Sequence, residues 1–296
     1  MSVSVYITSY NQRDYLIEAV DSVLNQSRPA DQIIIVDDAS TDDSQEIIND
    51  YKSKNPGLID CILHENNTGV SQSRVDALAA VKCKYVTYLD GDDRYLPDKL
   101  KLEYEAFSND DSIDIVFSNN VYVDQHAQKV VSRWVESHKV PEGNIFEYIF
   151  ARELPKKSLY RMEMVNYNKW KQIGFHDTAL KVYEDYDMRI RLTKSMKVKY
   201  VNRILTQIRR HKTGLSQSSI FLQLDSLEYI FQKNLHMLDD LAAPVRNRLI
   251  QRYILWYRFN CVVGMGRQIR NLKAGKLPDI VKRYNSFKEK ALEECR

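Results

Sequence analysis

The residues with the clearest chemistry are the carboxylates of Asp90-Gly91-Asp92-Asp93, a segment that follows a predicted strand at 85–89. Two carboxylates in D-x-D spacing on extended backbone point to the same side, so Asp90 and Asp92 can approach one divalent cation. Mg²⁺ and Mn²⁺ prefer oxygen ligands, and a cation held in this way can bridge a diphosphate. The alternative is a solvated acidic turn, because Asp and Gly are ordinary turn residues.

Two further predicted strands end in polar residues. Thr8 and Tyr10 follow the alternating first strand, and Asp37 and Asp38 follow the apolar run of the second strand at 33–36. Repulsion between gathered carboxylates is costly unless a cation or hydrogen-bond donors lie nearby. These clusters therefore favour a ligand site over three unrelated surface turns.

Arg74 lies near the start of the helix predicted after the third strand. Its guanidinium and the free backbone N–H groups of a helix N-terminus could together receive phosphate oxygens. The alternative is an ordinary surface arginine.

The elements that must position these residues alternate between strand and helix. The amino-terminal pattern predicts strands near 3–8, 33–36, 59–64 and 85–89, and helices over 15–24, 45–52 and 71–81, the first of them capped by Asn11 and Asp14. This alternation predicts an α/β fold with a Rossmann-like, mostly parallel sheet flanked by helices. Ligands of such sheets lie at the carboxyl ends of the strands, where the polar clusters stand.

The rest of the chain is less regular. The pattern predicts a helix over 97–107, strands at 113–118 and 121–124, an irregular segment at 125–142, short helices near 167–173 and 185–193, and a strand from 199. From 216 onward it predicts helices over 220–238 and 245–263.

Composition excludes several classes of protein. The chain has 296 residues, a net charge of +3 and 44% hydrophobic residues, which is too apolar for a disordered chain and too poor in glycine for a collagen. No apolar run approaches the roughly 18 residues of a membrane span, so we expect a cytoplasmic protein. The four cysteines are scattered without a CxxC pair, which favours reduced thiols over disulfides or a zinc site.

The net charge hides a difference between two segments. Residues 216–296 hold 14 Lys and Arg against 8 Asp and Glu, whereas residues 1–215 are acidic overall. We therefore predict two regions, a catalytic domain at 1–215 and a basic helical region at 216–296. We call residues 216–296 the tail. Its second predicted helix, over 245–263, is basic, aromatic and broadly apolar. It could pack on the first region, form a homo-oligomer, or lie on the inner face of an anionic membrane.

The ordered motifs of the first 216 residues resemble those of family 2 glycosyltransferases with the GT-A fold. The motifs are Thr8-Ser9-Tyr10-Asn11, Val36-Asp37-Asp38-Ala39-Ser40-Thr41-Asp42, Asn67-Thr68-Gly69-Val70-Ser71, Tyr88-Leu89-Asp90-Gly91-Asp92-Asp93, Ile173-Gly174-Phe175, Tyr183-Glu184-Asp185-Tyr186-Asp187-Met188 and Arg210-His211-Lys212-Thr213-Gly214-Leu215-Ser216. Several motifs in the right order make an accidental resemblance improbable, although each is weak alone.

The resemblance implies a role for each matching residue. It places a nucleotide-sugar in a pocket lined by Thr8, Tyr10, Asp37, Asp38, Arg74 and Asp90, with Mn²⁺ or Mg²⁺ held by Asp92 and His211 and with Asp185 as the catalytic base. Two departures are visible. Arg74-Val75-Asp76-Ala77 stands where many relatives have Arg-Asn-x-Gly, and Ile173-Gly174-Phe175-His176-Asp177 stands for their Gly-Gly-Phe-Asp-Glu. The second departure bears on the acceptor rather than on the donor.

These expectations describe a metal-dependent inverting hexosyl- or N-acetylhexosaminyl-transferase that uses a UDP-sugar. The acceptor would be a glycan or lipid-linked glycan of a cell-surface polysaccharide. One rival is a non-catalytic sugar-nucleotide-binding subunit of a glycan-synthesis complex, which the presence of both Asp92 and Asp185 disfavours. A nucleotide-cofactor dehydrogenase would need a G-x-G-x-x-G turn after the first strand, where Thr8 to Asn11 stand instead. Nucleic-acid binding is poorly supported, and we expect none, because the basic residues of 216–296 are no denser than a solvated helix face needs.

Overall fold

The computed structural model describes residues 2–136, 139–211, 218–270 and 274–295. Its strands are β1 (Val3–Ser9), β2 (Gln32–Asp37), β3 (Ile59–Leu63), β4 (Tyr85–Asp90), β5 (Arg94–Tyr95), β6 (Ile115–Val123), β7 (Val130–Arg133), β8 (Met164–Asn166) and β9 (Val198–Arg209). Its α-helices are α1 (Arg13–Leu24), α2 (Ser44–Lys54), α3 (Val70–Ala79), α4 (Lys99–Ser108), α5 (Phe146–Phe150), α6 (Tyr167–Ile173), α7 (Glu184–Thr193), α8 (Ile220–Asn234), α9 (Ala243–Arg270) and α10 (Leu277–Glu293).

The described strands form one mixed, mostly parallel sheet in the order β3-β2-β1-β4-β8-β6-β9-β5, with β7 paired to β6. The first four strands run parallel, β8 is antiparallel to both β4 and β6, and β6 and β9 run parallel. Every residue of β1 and β2 is buried, as strands covered on both faces require. The predicted α/β class, with a Rossmann-like sheet flanked by helices, is confirmed.

One long strand, β6, replaces the two strands predicted at 113–118 and 121–124. The polar residues Asn119 and Asn120, between the two predicted strands, are buried inside the single strand. The Asn119 amide donates to the Val135 carbonyl at 2.8 Å and its oxygen accepts from the Val135 N–H at 3.1 Å. The side chain thus replaces lost solvent contacts, and the register with β9 shifts at this point.

The carboxyl-terminal helices pack on the rest of the chain. α9 buries one face, which includes Tyr253 and Tyr257, and the Tyr253 hydroxyl donates to the Leu227 carbonyl of α8 at 2.7 Å. The helix runs to Arg270, beyond the predicted end, and α10 was not predicted. The proposed boundary at 215 lies outside the described residues, so the two-region division stays a prediction. No helix in the described ranges is long and apolar enough to cross a membrane.

Candidate active site

The carboxyl ends of β1, β2 and β4 meet at one edge of the sheet. Thr8 pairs with Asp90 across β1 and β4, and Ser9 pairs with Asp37 across β1 and β2. Tyr10 follows β1 with 46% of its surface exposed at this edge. The structure therefore brings together the strand-end residues that the sequence grouped by pattern alone.

Residues 90–93 form a turn, which we call the acidic turn, and Gly91 allows it to lie against β1. Its N–H donates to the Thr8 carbonyl at 2.9 Å. A Cβ at this position would lie 2.6 Å from the Gln12 Oε1 atom and 2.9 Å from the Thr8 carbonyl oxygen. Because the second of these is a backbone atom, a larger residue would push the carboxylates on either side of Gly91 away from the sheet edge.

Asp37 and Asn11 hold the loops of this edge together. Asp37 is fully buried and accepts from the Ser40 N–H at 2.8 Å and the Gln45 amide at 2.9 Å. The Asn11 side chain accepts from the Thr41 N–H at 2.8 Å, and it makes no capping bond to α1. The prediction that Asn11 caps the helix is therefore wrong, because the loop after β2 competes for its oxygen.

Asp38 fixes the loop before α3. Its carboxylate accepts from the Thr68 and Gly69 N–H groups, both at 2.8 Å, and contacts the His64 Nδ1 atom at 2.9 Å. Burial raises the pKa of Asp38, but the hydrogen bonds from His64, Thr68 and Gly69 outweigh it and the pKa is lowered. Asp38 is therefore an ionised anchor of this loop. Its contact with the base or ribose stays a prediction.

Arg74 joins the acidic turn to the start of α7. The guanidinium is buried and donates to Asp90 at 2.8 Å and to Glu184, 110 residues from Arg74 in the chain, at 2.7 Å. It also lies 4.9 Å from the centre of the Tyr88 ring. In this structure Arg74 faces two carboxylates rather than solvent, so it sets the distance between them. Its predicted contact with phosphate oxygens stays a prediction.

Asp185 lies on the first turn of α7 and is held by Arg189 one turn later. The Arg189 guanidinium donates to Asp185 at 2.5 Å, to Glu163 at 2.9 Å and to the Tyr88 hydroxyl at 2.9 Å. Arg189 and Glu163 are fully buried, whereas the Asp185 side chain keeps 26% of its surface exposed. The arrangement leaves Asp185 as the solvent-facing member of a rigid buried network.

The adjacent carboxyl groups of Glu184 and Asp185 on α7 have pKa values shifted in opposite directions. Burial raises the pKa of Glu184 to about 7, although the nearby Arg74 opposes this. Burial alone would also raise the pKa of Asp185. The positive charges of Arg189, Arg161 and Arg74 outweigh this effect and hold its pKa well below its ordinary value. Asp185 is therefore fully ionised at neutral pH and able to accept a hydrogen bond from a hydroxyl.

Asp92 and His211 face each other on the other side of the acidic turn, with 2.6 Å between the Asp92 Oδ2 and His211 Nε2 atoms. Asp93 is buried, and burial and the charges of Asp92 and Asp90 raise its pKa well above its ordinary value. No group of three or more metal-binding side chains occurs in the described part of the chain. Two protein ligands still fit Mn²⁺ or Mg²⁺ in a nucleotide site, because phosphate oxygens and water complete the shell.

Four buried residues of the site were not predicted from the sequence as site residues. They are Glu163, His176, Glu184 and Arg189. Burial lowers the pKa of His176 well below the ordinary value, and neither ring nitrogen has a partner among the described residues. Glu184 could have been found from its place beside Asp185, whereas nothing local marks Glu163, which meets Arg189 only in the fold.

The sequence matches glycosyl transferase family 2 over residues 4–173, more than half of the chain. The chain belongs to this family, as the motifs predicted.

Individual relatives support the same assignment. An uncharacterized glycosyltransferase of Methanocaldococcus jannaschii is 30% identical over 191 residues, which cover 64% of this chain and 63% of that protein. The poly(ribitol-phosphate) beta-glucosyltransferase of Bacillus spizizenii is 36% identical over 117 residues, 39% of this chain and 18% of that enzyme. The chain thus spans less than two thirds of the length of these curated relatives.

A solved structure confirms the fold. S. aureus TarS, crystallised with UDP-GlcNAc, superposes with a TM-score of 0.76 at 18% identity, covering 97% of this chain and 80% of that one. The predicted GT-A fold with carboxyl-terminal helices is therefore confirmed.

Proposed function

We propose that the protein is a metal-dependent inverting glycosyltransferase that moves a sugar from a UDP-sugar to a hydroxyl group of a cell-surface glycan or glycoconjugate. One observation carries the proposal. Arg74 bridges Asp90 of the acidic turn and Glu184, the neighbour of Asp185, so a donor end and a base end are held at fixed separation. The names of two similar proteins, one crystallised with UDP-GlcNAc and one acting on poly(ribitol phosphate), support the donor and acceptor classes.

Asp185 is the proposed base. In an inverting displacement the acceptor hydroxyl attacks the anomeric carbon from the side opposite the nucleoside diphosphate, and it must lose its proton as it does so. Asp185 is ionised and fixed by Arg189, so it accepts that proton without first reorienting. General base catalysis of this kind contributes roughly 10²- to 10⁴-fold.

Asp92 and His211 are the proposed metal ligands. They offer one carboxylate oxygen and one imidazole nitrogen at the mouth of the acidic turn, a donor set that suits Mn²⁺ as well as Mg²⁺. When bound there, a divalent cation would neutralise the charge that develops on the leaving diphosphate. The proposed nucleotide contacts are Thr8, Tyr10, Asp38, Arg74 and Asp90, which lie along the same sheet edge or link to it. Asp37 is fully buried, so its proposed part in nucleotide binding is through the loop that it holds.

A screen of nucleotide-sugars tests the function. The purified protein is mixed with Mn²⁺ and each nucleotide-sugar in turn, and thermal stabilisation and release of nucleoside diphosphate are measured. We expect one donor to raise the unfolding temperature and to be slowly hydrolysed only with metal. Stabilisation without any turnover, including with glycan acceptors, would favour the non-catalytic binding subunit, and no response to any donor would contradict both.

The tail is also proposed to make contacts outside the catalytic domain. A row of exposed apolar side chains runs along α9, opposite the face that packs: Leu255, Phe259, Val262 and Ile269. Self-association through this row, or contact with an anionic membrane that carries a lipid-linked acceptor, stays a prediction. Flotation of the full chain with anionic liposomes at low salt, beside a measurement of its mass in solution, distinguishes the two.

A further inference from the structure

A second arginine, Arg161, lies close enough to the acidic turn and to Asp185 for its charge to act on both. Arg161 is half-buried, whereas Tyr160 and Met162 on either side of it are fully buried. Its charge interacts with Asp90 and Asp93 of the turn and with Asp185 of α7. Arg161 therefore lies near both the acidic turn and the start of α7.

The backbone around Arg161 is fixed. The Met162 carbonyl accepts from the Lys99 ammonium at 2.7 Å and from the Thr87 hydroxyl at 3.1 Å. Met162 has a φ of 55°, a left-handed conformation that costs a non-glycine residue free energy and persists only where the surroundings enforce it. On the next residue, Glu163 is tied to Arg189. These bonds hold the chain on both sides of Arg161, so its side chain is presented from a rigid support.

The nearby carboxylates are all engaged by other donors. Asp90 pairs with Arg74, Asp185 pairs with Arg189, and Asp93 accepts from the Arg209 N–H at 2.7 Å. Arg161 makes no hydrogen bond or ion pair within the described ranges. Its guanidinium carries five N–H donors in a planar fork that matches phosphate geometry. A cation that is uncommitted, half-buried and rigidly presented has the properties of an anion-binding group.

We propose that Arg161 binds an anionic phosphoryl oxygen of a reactant at the point where donor and acceptor meet. This inference rests on the proposed function. The phosphoryl group has two possible sources, the terminal phosphate of the nucleoside diphosphate or a phosphate carried by the acceptor. In either case Arg161 supplies positive charge in addition to that of the divalent cation proposed at Asp92 and His211.

Isothermal titration calorimetry with UDP and UMP, each with Mn²⁺, tests the donor source. Only UDP carries the second phosphate, so the ratio of the two affinities isolates that contact. For Arg161→Gln we expect UDP to bind roughly 10- to 100-fold more weakly, the range for a lost charge-assisted hydrogen bond, with UMP unchanged. Arg161→Lys keeps the charge and should retain part of the preference. The exposed Arg203→Gln is the matched control, and it should bind both nucleotides within about twofold of wild type.

Glycerol 3-phosphate, titrated into protein saturated with UDP and Mn²⁺, tests the acceptor source. Loss of its binding in Arg161→Gln, with an unchanged ratio of UDP to UMP affinity, would assign the phosphoryl group to the acceptor. If neither titration responds to Arg161→Gln or Arg161→Lys while wild type binds UDP, the inference is overturned and the proposed function stands. If wild type binds neither UDP nor any other nucleoside diphosphate, the proposed function fails and this inference with it.

Discussion

Asp185 and Glu184 show how surroundings divide the work of two neighbouring carboxylates. Asp185 is partly exposed, and its ion pair with Arg189 holds its pKa low. Burial raises the pKa of Glu184, which contacts Arg74, to about 7. A group that is ionised and solvent-facing can take a proton from an acceptor. A buried group paired to an arginine serves to position its neighbours.

The base assignment is tested by Asp185→Asn. We expect sugar transfer to fall by roughly 10²- to 10⁴-fold, because the amide cannot accept the hydroxyl proton. Metal-dependent UDP binding should stay near normal, since Arg189 keeps its bonds to Glu163 and Tyr88. Rates and calorimetric affinities are compared with those of Asp50→Asn, a surface control on α2. An equal loss of UDP affinity in Asp185→Asn would contradict the role as base.

The metal site is tested by Asp92→Ala. Removal of this carboxylate leaves His211 without its 2.6 Å partner and removes one proposed ligand. We expect UDP affinity in Mn²⁺ to fall at least about tenfold, and the difference from wild type to vanish in EDTA. Unchanged affinity in Mn²⁺ would exclude Asp92 from the metal shell.

Helices α8 and α9 of the tail pack closely against each other. Gly264 of α9 faces Ile220, the first residue of α8, and a Cβ on Gly264 would lie 2.2 Å from the Ile220 Cγ1 atom. Glycine is a poor helix former, so its presence inside α9 is explained by this contact. At Gly266, two residues on, no atom of the described residues outside the helix backbone lies within 4 Å of an added Cβ.

These two glycines form a matched pair of tests. Gly264→Ala should destabilise the protein by about 1–3 kcal/mol, because the new methyl group overlaps Ile220 and forces the helices apart. Gly266→Ala should be neutral or stabilise by up to about 1 kcal/mol, since alanine is the better helix former and has room. Thermal unfolding followed by circular dichroism measures both. Equal shifts for the two variants would show that this helix contact is not tight in solution.

Whole-molecule organisation depends on contacts between the tail and the site. Lys233 of α8 donates to Asp187 of α7 at 3.0 Å and to Asp177 of the preceding loop at 2.6 Å. The Asn234 amide also donates to Asp187, at 2.9 Å. Asp187 lies two residues from Asp185 and is fully buried. The basic tail therefore supports the helix that carries the proposed base.

Lys233→Met tests this support. We expect transfer to fall by up to about 10²-fold, because small displacements of a reacting group are costly, while UDP affinity in Mn²⁺ stays near that of wild type. Lys233→Arg should recover much of the rate by restoring the charge. Lys282→Met, an exposed tail lysine on α10, is the control for loss of one positive charge. If Lys233→Met and Lys282→Met behave alike, the tail does not position the base.

Much of the first half of the fold follows from local pattern. β1, β2 and β4 are almost entirely buried, and their alternating or continuous apolar residues mark them in the sequence. β8 was missed because its three residues are too few to show a period. It is defined by pairing with β4, in which Tyr85 meets Asn166. The capping role of Asn11 was wrong for a related reason, since its true partner, Thr41, belongs to another loop.

The sequence is sufficient to identify the chemical groups at the ends of the strands, because strand ends follow from local periodicity and polar residues are visible where each apolar run stops. It also determined the family, through the order of the motifs. Which carboxylate faces which arginine becomes known only from the folded chain. Arg74, Glu184, Asp185 and Arg189 owe their proton affinities to contacts across up to 110 residues. Electrostatic interactions depend on distance and on burial, and folding fixes both.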